Sequence, residues 1–202
     1  MTLSDNEIKI AVMDLVIASN NIFKVNEIKA ILQDKFDRIY SLFDKGIDID
    51  IEEKGRTFYA NALIKAKAVY DIVGIPVIAD DSGLCVKALN NQPGVYSARF
   101  AGFPCNDEAN NDKLLRELAA HNDRSAEFVS EVVLYLSPDD IRSGKGKVSG
   151  IILSEGKGRG GFGYDPLFYS LDLKKTFAEA SPSEKNAVSH RARALMDLLS
   201  RL

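Results

Sequence analysis

Short apolar runs alternate with amphipathic helices in the first half of the chain, and two long strands follow in the second. Asp14–Ala18 (DLVIA) reads as a buried strand, Asn20 and Asn21 as a turn, and Lys24–Gln33 as a helix with Ile28, Ile31 and Leu32 inward. Phe58–Val73 is the next helix, because Phe58, Ala62, Val69 and Val73 recur at helical spacing and Gly74 supplies the stop. Pro76–Ala79 (PVIA) is a short apolar strand running into Asp80-Asp81-Ser82-Gly83. Asn106 caps a helix through Ala120, with Asp107 and Glu108 in the first turn, where the helix dipole favours acids. Ala126–Leu136 is a long strand, Pro138-Asp139 a turn and Val148–Leu153 a returning strand. Ser181-Pro182-Ser183-Glu184 is a capping box with Pro at the first helical position. It opens a helix to the C-terminus whose apolar stripe is Val188, Ala192, Leu195, Leu199 and Leu202. Alternation early and strand pairing late predict an α/β, mixed-sheet architecture. The 202 residues contain no repeat, low-complexity tract or linker, so residues 1–202 are expected to form a single domain.

Composition removes several function classes. Cys85 and Cys105 are too far apart in sequence for a CxxC-type metal clip, and two histidines, His121 and His190, cannot build a histidine-rich zinc site. No apolar run approaches the roughly 20 residues of a membrane helix, and no signal pattern or glycosylation sequon is present, so a cytoplasmic protein without a membrane partner is expected. The formal net charge of −3 hides an asymmetry. Residues 141–202 hold eleven Lys or Arg against six Asp or Glu, a net of +5, which leaves −8 on residues 1–140. An acidic body with a basic C-terminal third can hold cations in one place and an anion in another, or can simply be two solvated faces. Nucleic acid is not an expected partner, since duplex binders carry a basic patch on a basic domain.

Four segments hold residues capable of chemistry. Asp80-Asp81-Ser82-Gly83 follows a buried strand, where α/β proteins place ligand sites, and adjacent strand residues point to opposite faces. With Glu52-Glu53 upstream, there are oxygens enough for Mg²⁺, which takes one or two carboxylates plus substrate phosphates. An Asp-Gly turn that merely ends a strand explains the same residues. Ser19-Asn20-Asn21-Ile22-Phe23-Lys24 is a polar strand-to-helix turn that can cradle phosphate or simply cap a helix; GxxxxGK[ST] is absent. Gly156–Gly163 contains two overlapping GxGxxG matches, but Phe162-Gly163-Tyr164-Asp165-Pro166 follows where a dinucleotide fingerprint needs a helix. A loop remains, either presenting Phe162 to a base or burying it in the core. Lys185 and Ser189 share a helix face, followed by His190 and Arg191, and Asn61 and Lys65 form a similar pair after Glu52.

Taken together, these stretches resemble one family, the inosine/xanthosine triphosphate pyrophosphatases. The N-terminal half contributes Ser19-x-Asn21-x-x-Lys24-x-x-Glu27, Glu52-Glu53-x-Gly55-x-Thr57-Phe58 and Asn61-Ala62 with Lys65-Ala66. Ala79-Asp80-Asp81-Ser82-Gly83-Leu84 and Pro93-Gly94-Val95-Tyr96-Ser97-Ala98-Arg99 come next. The C-terminal half adds Gly160-Gly161-Phe162-Gly163-Tyr164-Asp165-Pro166, Phe177-Ala178-Glu179 and Glu184-Lys185-Asn186 with Ser189-His190-Arg191. The order and spacing extend over about residues 14–202.

The resemblance implies an elongated mixed β-sheet flanked by helices, two lobes with a nucleotide cleft between them, a homodimer and a Mg²⁺ requirement. It implies that Ser19, Asn20, Asn21, Ile22, Phe23 and Lys24 form the triphosphate-binding loop. Glu52 and Asp81 become the metal ligands, Asp81 also the proton acceptor, Ser82 a substrate contact and Lys65 a phosphate contact. Phe162, Gly163, Tyr164 and Asp165, with Lys185, His190 and Arg191, become the base-recognition elements. The implied reaction converts a non-standard purine triphosphate (ITP, dITP or XTP) to the monophosphate and pyrophosphate. The alternatives are a pyrophosphatase of similar fold with another base preference and a nucleotide-binding regulatory module. Asn20 stands where many members carry glycine, Ile22-Phe23 is bulkier than the usual pair, and Arg159 adds a charge to the glycine loop.

Overall fold

A computed structural model describes residues 13–202. Among them, eight strands form one sheet: β1 (Asp14–Ile17), β2 (Arg38–Ser41), β3 (Val77–Val86), β4 (Gln92–Pro93), β5 (Ser125–Ser137), β6 (Asp140–Ile152), β7 (Phe168–Ser170) and β8 (Lys175–Thr176). The helices are α1 (Ile22–Leu32), α2 (Phe58–Val73), α3 (Asp107–Glu117), α4 (Pro182–Val188) and α5 (His190–Leu199). The strand order is β2-β1-β3-β5-β6-β7-β8, with β4 on β3. The β1 pairings are parallel, as the helical crossovers require, and every other pairing is antiparallel. The mixed sheet expected from the sequence is therefore present.

Alternation along the central strands builds two cores. Leu15, Ile17 and Ile78 face α1 and α5, meeting Ile28, Leu32, Leu195 and Leu198. Their neighbours Val16, Ala18, Val77 and Ala79 point the other way, onto Ala62, Ala66 and Val69 of α2. A third cluster lies toward the other end of the sheet, where Leu84, Phe128, Val148, Phe168 and Phe177 pack with Leu114 and Leu118. No helix among the described residues is long and apolar enough to cross a membrane.

The strands β2, β4, β7 and β8 have no counterpart in the sequence reading, and three elements that it does place differ from it. The strand begun at Pro76–Ala79 does not end before the acids but continues to Val86, paired with β5 from Val77↔Tyr135 to Val86↔Ala126. Ladder hydrogen bonds to β5 outweigh the poor strand propensity of Asp80-Asp81-Ser82-Gly83, which is mid-strand rather than a turn. The returning strand starts at Asp140, eight residues before Val148, because β6 carries Gly144 and Gly146 as packing positions. A Cβ at Gly146 would sit 2.2 Å from the His190 carbonyl oxygen, and one at Gly144 2.2 Å from that of Ala194. These glycines let the α5 backbone lie directly on the sheet. The C-terminal helix is broken at Ser189, which is extended (ψ 155°), ends α4 and caps α5 by accepting from the Ala192 amide at 3.1 Å.

Gly146→Ala should therefore push α5 off the sheet. Overpacking of this kind costs about 1–3 kcal/mol, and thermal unfolding should show a midpoint lowered by roughly 2–12 °C. An unchanged midpoint would mean that α5 is free to shift.

Candidate active site

The pleat of β3 separates the two adjacent acids. Asp80 turns under α1 and α5 and is 1% exposed. Its Oδ2 accepts from Arg191 Nε at 3.0 Å and from Ser82 Oγ at 3.1 Å, with Lys24 Nζ at 3.3 Å. Burial alone would raise its pKa, but the charges of Arg191, Lys24 and Lys65 hold it well below the carboxylate range. Asp81 turns toward α2 and the open cleft. Asn61 Nδ2 donates to its Oδ2 at 3.0 Å, and Lys65 Nζ lies 3.5 Å from its Oδ1. Asn61 is itself fixed, since its Oδ1 accepts from the Gly55 amide at 2.8 Å. Burial raises the Asp81 carboxyl above its ordinary value, against the pull of Lys65 and Lys24.

Lys65 Nζ also reaches Glu53 Oε1, at 3.0 Å. Glu53 and Asp81 thus converge on one cationic group, so the pair can hold a cation between them. Glu52, expected beside Asp81 from the resemblance, is not brought there: its side chain is 76% exposed and pairs with Lys54 at 2.7 Å. Of the two glutamates Glu53 is the one on the cleft wall, which Asp50 from the same stretch also lines. Burial lowers the pKa of Lys24, whereas for Lys65 the neighbouring Asp81, Asp80 and Glu53 outweigh burial and raise it.

At the α1 entrance, Asn21 caps the helix, and its Oδ1 accepts from the amides of Phe23 (2.9 Å) and Lys24 (3.3 Å). Ser19, Asn20, Asn21, Phe23 and Lys24 line the cleft. Ile22 is 59% exposed and lies outside it.

The opposite end is aromatic and charged. Phe162 sits in the glycine loop; its amide donates to Asp165 Oδ2 at 3.0 Å, and that oxygen accepts from Lys185 Nζ at 2.6 Å. Lys185 Nζ is also 4.6 Å from the Phe162 ring centroid. Gly163 and Tyr164 are held by donation of the Gly163 amide to Asp107 (2.7 Å) and of Tyr164 Oη to the Ser97 carbonyl (2.8 Å). His190 stacks on Phe128, with centroids 4.8 Å apart, and its Nδ1 is buried without a partner. Arg191, expected to read a base, is 1% exposed beneath the cleft: it holds Glu27 and Asp80, and Nη2 donates to Ser82 Oγ at 2.9 Å. Glu27 also takes Lys185, at 3.1 Å. Glu27 and Asn61 are thus central to the site although no role was read for them in the sequence. Their spacing from Lys24 and Lys65, three and four residues along the same helices, was the available signal.

The cleft has a volume of about 420 Å³, within the range of small-molecule sites. One end offers Lys24 and Lys65 with the carboxylates of Asp50, Glu53 and Asp81, the other a ring with polar groups at its edge.

Burial, with Arg191 and Lys185 close by, pushes the His190 pKa well below its ordinary value, so the folded chain keeps this ring neutral. The unfolded chain binds that proton near pH 6.5, so below this pH the unfolded state carries more protons and stability falls. Between pH 6.5 and 5.5 the loss from this residue is about 1 kcal/mol. Urea unfolding at the two pH values should show it, and His190→Gln should remove it; an equal loss in the variant would assign it elsewhere.

The Ham1 family model matches residues 15–201. A protein of Clostridium perfringens named dITP/XTP pyrophosphatase is 47% identical over 195 residues, covering 93% of this chain and 96% of that one. The solved structure of the Staphylococcus aureus Ham1 protein has a TM-score of 0.83 and 43% identity, covering 93% of this chain and 97% of that one. A HAM1 protein from Coxiella burnetii has a TM-score of 0.84 and 39% identity, covering 95% and 100% respectively. With sequence, motifs and fold in agreement over nearly its whole length, this chain belongs to the Ham1 family.

Proposed function

We propose that this chain hydrolyses non-standard purine nucleoside triphosphates (ITP, dITP and XTP) to the monophosphate and pyrophosphate. The observation that carries the reading is the division of one cleft into a lysine–carboxylate end and an aromatic end with Lys185 and Asp165 at its edge. The dITP/XTP pyrophosphatase name of the 47%-identical relative supports the substrate class.

Water attacks the α-phosphorus, and the bond to the α–β bridging oxygen breaks, releasing pyrophosphate. Asp81, oriented by Asn61, positions this water and takes its proton. Lys24 and Lys65 neutralise charge on the phosphates, a contribution made by positioning and electrostatics. Glu53 and Asp81 are the residues that would hold Mg²⁺, with Glu53 replacing Glu52 in that role. The ion, when bound, neutralises phosphate charge and acidifies water. At the other end, Phe162 stacks on the base, while Lys185 and the neutral His190 ring face the 6-oxo edge. Adenine, with an amino group there, leaves these donors unpaired. The reading includes a homodimer, as the family resemblance implies. It also includes a cytoplasmic setting, which suits the free Cys85 and Cys105.

Turnover of ITP with Mg²⁺ should yield IMP and pyrophosphate, with kcat/KM roughly 10-fold or more above GTP and ATP, and chelator should abolish it. Orthophosphate release, or equal use of GTP, would overturn the assignment. Asp81→Asn should lower kcat about 10²- to 10⁴-fold while nucleotide binding persists. Glu53→Gln should reduce activity about 10-fold or more, and Glu52→Gln should stay within about 2-fold of the parent. The reverse order for the two glutamates would restore Glu52 as the ligand.

A further inference from the structure

Two phenylalanines meet across the mouth of the cleft from opposite ends of the sequence. Phe23, in the first turn of α1, and Phe162, in the glycine loop, lie with ring centroids 5.2 Å apart and planes only 14° from parallel. Core packing does not account for the contact, because Phe23 is 51% exposed. Ile22 beside it, also large and apolar, lies outside the cleft, whereas Phe23 lines it.

We propose that Phe23 and Phe162 are the two walls of one aromatic slot, and that the purine base of the substrate enters between them. This moves the Phe23 side chain from the triphosphate end to the base end, and it rests on the function proposed for the cleft. Both walls are anchored by their backbones. The Phe23 amide donates to the cap Asn21 Oδ1 at 2.9 Å, and the Phe162 amide donates to Asp165 Oδ2 at 3.0 Å. The half-exposed Phe23 ring is therefore the wall that swings, by rotation about its own side-chain bonds. A planar base needs about two contact distances, roughly 7 Å, between the ring planes, so two rings in stacked contact must part by about one further contact distance, roughly 3.5 Å, to admit it. Each ring covers the other, and the base replaces that contact with two stacked faces. Lys185 Nζ, 4.6 Å from the Phe162 centroid, and Asp165 place polar groups beside the slot.

The test is equilibrium binding of ITP, in its non-cleavable α,β-methylene form, and of inorganic tripolyphosphate, a base-free probe, to the parent chain, Phe23→Ala and Phe23→Tyr, with Mg²⁺ present throughout. Loss of one stacked face weakens binding by about 5- to 100-fold on its own, and the ring–ring contact surrendered on opening returns part of that. Phe23→Ala should therefore weaken ITP binding about 3- to 10-fold and leave tripolyphosphate binding within about 2-fold, while Phe23→Tyr keeps the parent affinity for both. Unchanged or tighter ITP binding by Phe23→Ala would show that Phe23 only covers an empty cleft, overturning the slot. Parallel weakening of both probes would overturn it too, by placing the residue in the phosphate loop. Thermal midpoints within about 2 °C of the parent exclude a folding defect for so exposed a residue. Pyrophosphate release from ITP by the parent chain with Mg²⁺ is measured separately. A parent that binds ITP without releasing pyrophosphate overturns the hydrolysis and leaves the slot standing; a parent that does not bind ITP overturns both.

Discussion

The buried guanidinium of Arg191 is the interaction on which the rest of the site depends. A charge with 1% exposure survives only when its hydrogen-bonding directions are met, because an unpaired ion in the interior costs several kcal/mol. Here they are met by Glu27 from α1 and by Asp80 and Ser82 from β3. Burial opposes ionisation, yet the two carboxylates outweigh it, and the Arg191 pKa rises. One side chain thus ties α5 to a helix near the start of the chain and a strand in its middle. The tie consumes Asp80, so the pleat of β3 leaves Asp81, on the opposite face, free for chemistry.

Glu27 extends the same network to the aromatic end by holding Lys185 as well. In an unbroken helix, six residues advance about 600°, which would set Lys185 and Arg191 some 120° apart around the axis. The extended Ser189 restarts the helix and lets both cations reach one carboxylate. The reading of a single C-terminal helix missed this break because its capping box and apolar stripe are satisfied with or without it. A serine flanked by helix-compatible residues carries no local mark of double capping.

The same distinction between local and tertiary causes runs through the fold. Phe58–Val73 was legible to the residue because Thr57 and Gly74 cap it and its apolar spacing is regular. Asn106, Ser181 and Pro138-Asp139 were legible for the same reason, since caps and turns act within a few residues. The acids of β3 and the glycines of β6 were misplaced because their strand state is imposed from outside, by the β5 ladder in one case and the α5 backbone in the other. Glu52 and Glu53 were indistinguishable in sequence because the stretch holding them, residues 48–55, has no regular structure and hence no periodicity to say which one faces inward. The contact with Lys65, twelve positions away on α2, separates them.

Lys65 also bears on how the proposed chemistry is organised. It serves Glu53 and Asp81 together, and one ammonium cannot keep both carboxylates neutralised while turning to a phosphate. A triphosphate arriving alone would face two uncovered acids at close range, which is repulsive in a partly desolvated cleft. Glu53 and Asp81 would hold a divalent cation, whose charge would offset theirs and leave Lys65 for the phosphate. Among the described residues, no three His, Cys, Asp or Glu side chains gather as a ready metal cage. Two carboxylates are a partial shell for Mg²⁺, and substrate phosphates and water supply the remaining oxygens in sites of this kind. On the proposed reading, binding of the nucleotide and of the ion would therefore depend on each other, because both would draw on the charges that Lys65, Glu53 and Asp81 share.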